Sequence, residues 1–169
     1  IDVTALTDAT VAASFDESAI EEADGKTYLT LQVYDYDRYD MVDISKLAED
    51  SVIVAGGKDM TVSSVEQDGS LVLINGGLTK GGMTLTTSDD GVYYELGVND
   101  AKCYQEKGEV TLPLSASFTL MDDSDPDHPN QTYGAEKLSE LVSSGFTANN
   151  TLVTIENGEI TAITRTVAP

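Results

Sequence analysis

Apolar and polar residues alternate in several short stretches of the chain. The clearest stretch is 27–34, where Leu29, Leu31 and Val33 share one face and tyrosine, threonine and glutamine residues occupy the other. Because successive side chains of a strand point to opposite sides, this alternation predicts a strand with one buried face. Further short apolar segments recur at 51–55, 60–65, 71–74, 92–94, 109–114, 118–120, 151–156 and 159–165. The pattern predicts a mainly β protein.

Turn residues separate these segments. Gly56-Gly57, Asp68-Gly69 and Asn157-Gly158 each stand between two apolar stretches. Such pairs accept the positive φ angles of tight hairpin turns, so each predicts an antiparallel hairpin. The last one predicts a hairpin that closes the chain. Many short strands with glycine turns favour a small antiparallel β-barrel or sandwich over alternating βαβ units.

Helical spacing is rare in this sequence. Leu138, Leu141 and Val142 fall on one helical face, and Gly145 is placed to end a helix, which predicts a short helix at about 135–144. A shorter helical turn is expected after Asp43, whose side chain can cap it. The fold class is therefore mainly β, with an α+β character only at the margin.

The length of 169 residues suits a single domain spanning 1–169. A weak internal repeat suggests an alternative organisation, with two similar β lobes at about 1–100 and 101–169. A strand, an acidic loop, a Lys-Leu turn and a hairpin occur in this order around Lys46-Leu47 and again around Lys137-Leu138. Short helices before hairpins also arise by chance, so both organisations stay open.

The chain is strongly acidic, with 30 Asp and Glu residues against 9 Lys and Arg residues and a formal net charge of -21. Nucleic acids and anionic membranes would be repelled, because their binding depends on basic side chains. Cations, basic proteins and neutral sugars remain as partners. Cys103 is the sole cysteine, so an intrachain disulfide is excluded.

The expected location is extracytoplasmic. The chain opens at Ile1 without an initiator Met and has no apolar run long enough to insert directly into a membrane. Its acidic composition, rich in Thr, Gly and Asp, is typical of secreted or lipid-anchored bacterial surface domains. Any anchor would then lie outside this segment. The oligomeric state cannot be predicted from these features.

An acidic loop is the first candidate for a metal site. Asp123, Asp125 and Asp127 are spaced two apart, and such carboxylates can turn several oxygens toward one Ca²⁺ ion. An EF-hand loop would need Gly at His128 and Glu at Gly134, and the sequence has neither. The alternatives are a Ca²⁺ site and a solvated acidic turn; no other cofactor is expected.

A second acidic cluster follows the strand at 27–34. If Asp35 and Asp37 continued the inward face of that strand, they would be unpaired charges in the core, which desolvation opposes. The strand must therefore end, bulge or place these carboxylates near a cation. Pairing with Arg38 is one interpretation, and a cation or ligand site is the other.

Tyrosines are interleaved with this cluster. Tyr28, Tyr34, Tyr36 and Tyr39 could form an aromatic platform for a sugar or a peptide. They could equally pack into the core, because the chain has no Trp and only three Phe.

No catalytic residue is assigned from the sequence. His128 is the sole histidine and lies in an acidic loop, which argues against a Ser-His-Asp or Cys-His arrangement and against a conventional zinc site. The first hypothesis is a non-catalytic binding or structural module for a protein or glycan at the cell surface. A small carboxylate-dependent hydrolase and a Ca²⁺-stabilised surface domain are the alternatives.

Overall fold

The computed structural model describes residues 2–88, 90–142 and 145–167. The protein is mainly β, with 54% of its residues in strands, which confirms the predicted fold class. The early strands are β1 (Ala9–Ser14), β2 (Ile20–Ala23), β3 (Lys26–Tyr36), β4 (Arg38–Tyr39), β5 (Val52–Ala55), β6 (Lys58–Thr61) and β7 (Val65–Asp68). The later strands are β8 (Leu71–Ile74), β9 (Met83–Thr87), β10 (Tyr93–Glu95), β11 (Tyr104–Asp123), β12 (Gln131–Tyr133), β13 (Thr151–Glu156) and β14 (Glu159–Thr166).

Two α-helices accompany the strands, α1 (Met41–Ser45) and α2 (Ala135–Leu141). Single 3-10 turns occur at Val3–Ala5, Glu17–Ala19, Leu78–Lys80 and Val98–Asp100. None of the helices in the described part of the chain has the length and apolar content needed to span a bilayer.

The chain divides into two compact units. Unit 1 comprises Ile1–Asp35 and Glu106–Pro169, and unit 2 comprises Tyr36–Gln105. The chain leaves unit 1 at the end of β3 and returns to it near the start of β11. The prediction of one domain, with similar lobes at about 1–100 and 101–169, stays a prediction.

Unit 1 is built on a closed ring of strands. Its sheet has the order β12-β11-β14-β13-β1-β3-β2, and a further pairing of β11 with β3 closes five of these strands into a ring. Closure leaves few unpaired strand edges. The predicted antiparallel arrangement holds for most pairs, but β11 and β14 run parallel, so the sheet is mixed.

The core of unit 1 lies on the inward face of these strands. Leu29, Leu31 and Val33 are fully buried, which confirms the face predicted from their alternation. They pack with apolar residues of the other strands and with Leu138 of α2. The predicted helix at 135–144 is present from 135 to 141, and residues 143–144 lie outside the described residues.

The predicted closing hairpin is formed by β13 and β14, which pair antiparallel. Asn157 and Gly158 have φ angles of 52° and 75°. Both positive values are those of the tight turn that the Asn-Gly pair favours.

Unit 2 contains an antiparallel sheet of order β4-β10-β9-β8-β7 and a separate hairpin of β5 and β6. Its core includes Ile53, Val72, Ile74 and Leu85. The helical turn expected after Asp43 begins earlier, because Asp40 is the N-cap of α1. Asp43 completes a capping box in which each side chain accepts the backbone N–H of the other residue.

Two neighbouring glycines of unit 2 provide a test of its packing. A Cβ at Gly82 would lie 2.0 Å from the carbonyl oxygen of Ile74, whereas a Cβ at Gly81 would meet nothing within 4 Å. Gly81 has a φ of 79°, so alanine there costs only left-handed backbone strain. We expect Gly82→Ala to lower the free energy of unfolding by about 3 kcal/mol or more, and Gly81→Ala to lower it by about 1 kcal/mol. Urea denaturation of both variants measures the difference, and equal losses would contradict the close backbone approach at Gly82.

Candidate functional site

Two carboxyl groups meet at the end of the β4–β10 pair in unit 2. Arg38 lies opposite Tyr94 in this antiparallel register, which places Asp37 opposite Glu95. The backbone N–H of Glu95 donates to the carbonyl oxygen of Asp37 at 3.2 Å. Side chains of directly opposite residues lie on the same face of a sheet, so the two carboxyl groups are neighbours.

Burial changes the protonation of this pair. Only 7% of Glu95 is exposed, and its Oε2 accepts the backbone N–H of Gly56 at 3.1 Å. The pKa of Glu95 is raised to about 6, first by burial and then by a hydrogen bond and the charge of Asp37, against the opposing effect of the Gly56 N–H. Oδ2 of Asp37 is buried, and within the described residues no N–H or hydroxyl donates to it. Below this pKa a protonated Glu95 supplies the donor that this oxygen lacks, so the pair then holds one proton between two carboxyl groups.

Two further titratable groups lie beside the pair and stay neutral. The Tyr39 hydroxyl donates to the carbonyl oxygen of Val54 at 2.6 Å. Its pKa is raised to about 12 by burial and by the negative charges of Asp37 and Glu95. Burial and the same two carboxylates raise the pKa of the Cys103 thiol. Cys103 is therefore a poor nucleophile in this setting.

A cleft of about 530 Å³ opens beside Asp37 and Tyr39. Its other charged residues are Arg38, Asp43 and Lys46, and aliphatic side chains complete it. We call this feature the Asp37 cleft. The aliphatic residues that line it are Leu47, Val52, Ile53 and Val54.

One wall of the Asp37 cleft is a strand edge. Strand β5 pairs with β6 alone among the described strands. The Val54 carbonyl faces Tyr39 and the Gly56 N–H faces Glu95, so both point away from β6. Residues two apart present their backbone groups to the same side of a strand, and therefore the N–H and carbonyl of Val52 and the N–H of Val54 also face outward.

The four predicted tyrosines are divided between the units. Tyr28 and Tyr34 belong to unit 1, where the Tyr34 hydroxyl lies 3.1 Å from Oγ of Ser14. Tyr36 and Tyr39 belong to unit 2. A platform formed by all four stays a prediction.

Tyr36 is part of an aromatic cluster within unit 2. Its ring packs edge-on against Tyr94 and Tyr104 at centroid distances of 5.9 and 5.8 Å. The Lys102 ammonium lies 4.5 Å from the Tyr36 ring centroid and 4.7 Å from that of Tyr94. A cation of the chain itself therefore occupies an aromatic face that a ligand would need.

The predicted metal residues are used in local hydrogen bonds. Oδ1 of Asp123 accepts the N–H of Asn130, and Oδ1 of Asp125 accepts the N–H of Asp127. Oδ2 of Asp125 lies 3.0 Å from Nδ1 of His128. No group of three His, Cys, Asp or Glu side chains suited to a metal occurs among the described residues. Calcium binding in this loop stays a prediction.

Asp35 and Asp37, the other predicted pair, fall on either side of the unit boundary. Asp35 ends the first segment of unit 1 and Asp37 belongs to unit 2. The carboxyl that meets Asp37 is that of Glu95, which the sequence analysis did not single out. A signal was present, because Glu95 lies two residues after the buried Tyr93 and so continues an inward face.

A buried ion pair in unit 1 was also missed. Nη2 of Arg165 lies 2.6 Å from Oδ2 of Asp122, and Nε lies 3.0 Å from Oδ1. The Arg165 guanidinium also lies 4.2 Å from the Phe146 ring centroid. Burial raises the pKa of Asp122, but the bonds from Arg165 and Ser124 outweigh it and hold this pKa below its usual value. The sequence held a signal for this pair. Arg165 lies two residues after Ile163, so a cation falls on the same face of the strand as a buried apolar residue.

Comparisons of the chain with protein-family models, curated proteins and solved structures give no match. The geometry of the residues themselves is thus what supports a function.

The Asp37–Glu95 pair predicts a pH-dependent stability. The raised pKa of Glu95 in the folded protein means that the unfolded chain loses this proton first as pH rises. The pair is fully stabilising below about pH 4.5, and this contribution is lost as pH rises through about 6. For a shift of this size the loss is at most about 2 kcal/mol.

Replacement of Glu95 by Gln tests this dependence. The Gln amide can donate to Asp37 and accept from Gly56 at every pH. We expect Glu95→Gln to remove the decline between pH 4.5 and 6.5, and to melt at a higher temperature than the parent protein at pH 7.5. Thermal unfolding at a series of pH values measures both effects. Melting curves that change with pH in parallel for the two proteins would rule out the shared proton.

Proposed function

We propose that the protein is a non-catalytic binding module and that it binds its ligand in the Asp37 cleft. One observation carries the proposal: Asp37, a carboxylate that lies beside the acid Glu95, and the unpaired edge of β5 line the same cleft. Backbone groups and carboxylates form strong hydrogen bonds, and a ligand can supply partners for both. Of the described polar groups, these are the ones that a ligand would satisfy most directly.

The charge of the chain narrows the ligand class. A net charge of -21 opposes nucleic acids and anionic membranes. A protein or a glycan at a cell surface fits this charge, and we propose an extracytoplasmic location, secreted or lipid-anchored, on the same composition. Of the described residues that line the cleft, Tyr39 is the one aromatic residue, and its hydroxyl is bonded to the Val54 carbonyl, so few rings are available to stack on a sugar. This favours a protein ligand over a glycan.

A carboxylate-dependent hydrolase is the second candidate, and the meeting of Asp37 with Glu95 favours it. Such chemistry uses one protonated and one ionised carboxyl group. Asp37 lines the cleft, whereas Glu95 does not and would act through Asp37. Asp43, the other carboxyl group that lines the cleft, accepts the N–H of Asp40 in the capping box of α1, whereas a glycosidase needs two carboxyl groups that act on the substrate. We therefore place this candidate second.

Blocking the cleft tests the binding function. Val52 is 60% exposed and lines the cleft, and Val65 of β7 is an exposed strand valine of the same unit that does not line it. Biotinylated protein is probed against a peptide array and a glycan array at fixed ionic strength. We expect Val52→Trp to reduce the positive signals at least tenfold and Val65→Trp to leave them unchanged. Array signals that Val52→Trp does not change would show that the ligand binds outside the Asp37 cleft. The absence of any signal on both arrays would contradict the binding function.

The hydrolase candidate has a separate test. A panel of chromogenic glycosides and fluorogenic peptides is incubated with the parent protein and with Asp37→Asn and Glu95→Gln. Hydrolysis that both variants abolish would favour the enzyme. We expect no turnover that depends on either carboxyl group, since a binding module needs none.

A further inference from the structure

We propose that the Asp37 cleft binds an extended peptide segment, which pairs as an added strand with the free edge of β5 and places a Lys or Arg side chain against Asp37. This inference rests on the proposed binding function and names its ligand class. It follows from the direction of the β5 backbone groups and from the charge at one end of the cleft.

The edge of β5 has the properties that strand addition needs. The N–H and carbonyl of Val52 and the N–H of Val54 face outward and have no strand partner among the described residues. Backbone hydrogen bonds to such an edge provide affinity for any extended chain, independent of its sequence. Val52 and Val54 are 60% and 41% exposed, so their side chains are accessible to a ligand.

The register of the hairpin keeps this edge outward. Ala55 pairs with Lys58 and Ile53 with Met60, so the backbone groups of odd-numbered residues face β6. Ser51 follows the same rule, because its carbonyl accepts the N–H of Val62 at 2.7 Å. The even-numbered residues are therefore the ones that face Tyr39, Glu95 and the cleft.

Charge complementarity selects a cationic residue at the Asp37 end. Asp37 and Asp43 line the cleft, and Glu95 lies beside Asp37. The cations that also line it are Arg38 and Lys46. The Arg38 guanidinium lies over the Tyr36 ring, 5.4 Å from its centroid, so it is engaged with an aromatic ring. A ligand ammonium or guanidinium in the cleft can pair with the Asp37 carboxylate, which lines it.

Binding of this cation is linked to the proton of the pair. Without a ligand, protonated Glu95 is the donor to Asp37; with a ligand cation beside Asp37, that proton is no longer needed. The cation favours the doubly ionised pair, so binding releases a proton near pH 6 and tightens as pH rises. Tyr39 and Cys103, the other titratable groups beside the pair, stay neutral over this range.

The probe is a set of acetylated, amidated decapeptides of alternating Thr and Val with one central variable residue. The variable residue is Lys, Gln or Glu, and a fourth and a fifth peptide carry Lys together with N-methyl groups on alternate residues, in one phase or in the other. Isothermal titration calorimetry at pH 5, 6 and 7.5 measures their affinities. We expect the Lys peptide to bind at least tenfold more tightly than the Glu peptide at pH 7.5, and N-methylation in one of the two alternating phases to weaken it at least tenfold. We also expect the affinity for the Lys peptide to increase at least threefold from pH 5 to pH 7.5.

Matched variants assign these effects to residues. Asp37→Asn should remove the preference for Lys over Gln, whereas Asp68→Asn, at an exposed carboxylate of β7, should preserve it. Glu95→Gln should abolish the pH dependence of binding, because no proton is left to release.

Each failure has a distinct meaning. Equal affinity for both N-methylated phases and the parent peptide would overturn strand addition, and an unchanged Lys preference in Asp37→Asn would overturn the role of Asp37. Glycan signals that Val52→Trp abolishes, with no peptide binding, would overturn this inference and leave the binding function standing. Silence of peptides and glycans alike would overturn both.

Discussion

The interaction on which the site depends is the sharing of one proton by Asp37 and Glu95. Two ionised carboxylates side by side in a buried position would repel each other and lack solvent, so one of them must keep its proton or find a cation. The pair sits at the end of a strand pair whose register leaves no other side chain opposite Asp37. The β4–β10 pairing therefore brings together two carboxyl groups whose repulsion a proton on Glu95 relieves below about pH 6.

Glu95 and the adjacent Tyr39 hold the neighbouring hairpin of β5 and β6 in place. Glu95 holds the Gly56 N–H at the turn of β5 and β6, and Tyr39 holds the Val54 carbonyl two residues earlier. Both contacts use backbone groups on the side away from β6. These two contacts anchor the C-terminal end of the β5 edge. The backbone N–H and carbonyl of Val52 still face the cleft. A carboxyl pair whose contribution to stability is lost above about pH 6 thus also positions a surface that can pair with another chain.

Much of the fold could be predicted from local patterns. The alternation of apolar and polar residues correctly predicted the buried face of Leu29, Leu31 and Val33. The preference of Asn and Gly for positive φ angles correctly predicted the turn at Asn157-Gly158. The parallel pairing of β11 with β14 could not be predicted, because no local pattern records which distant strands become neighbours. The sequence showed that Asp35 and Asp37 would be unpaired charges if they continued the inward face of the strand, and left open whether the strand ends, bulges or places them near a cation. Glu95, 58 residues later than Asp37 in the numbering, could not be assigned as its partner without the strand order.

A comparison of two partly buried carboxylates, Asp122 and Asp37, shows why Asp37 is the functional candidate. Asp122 lies on the barrel of unit 1 and meets Arg165, whose guanidinium donates to both of its oxygens and rests against Phe146. Ser124 adds further donors, so the charge of Asp122 is satisfied by the protein and its role is structural. Asp37 instead lies opposite another acid, Glu95, while Lys102 and Arg38 of the same unit lie against tyrosine rings. Arg38 and Lys102 are thus held on aromatic faces, while Asp37 lies beside a Glu95 whose proton a ligand cation can replace.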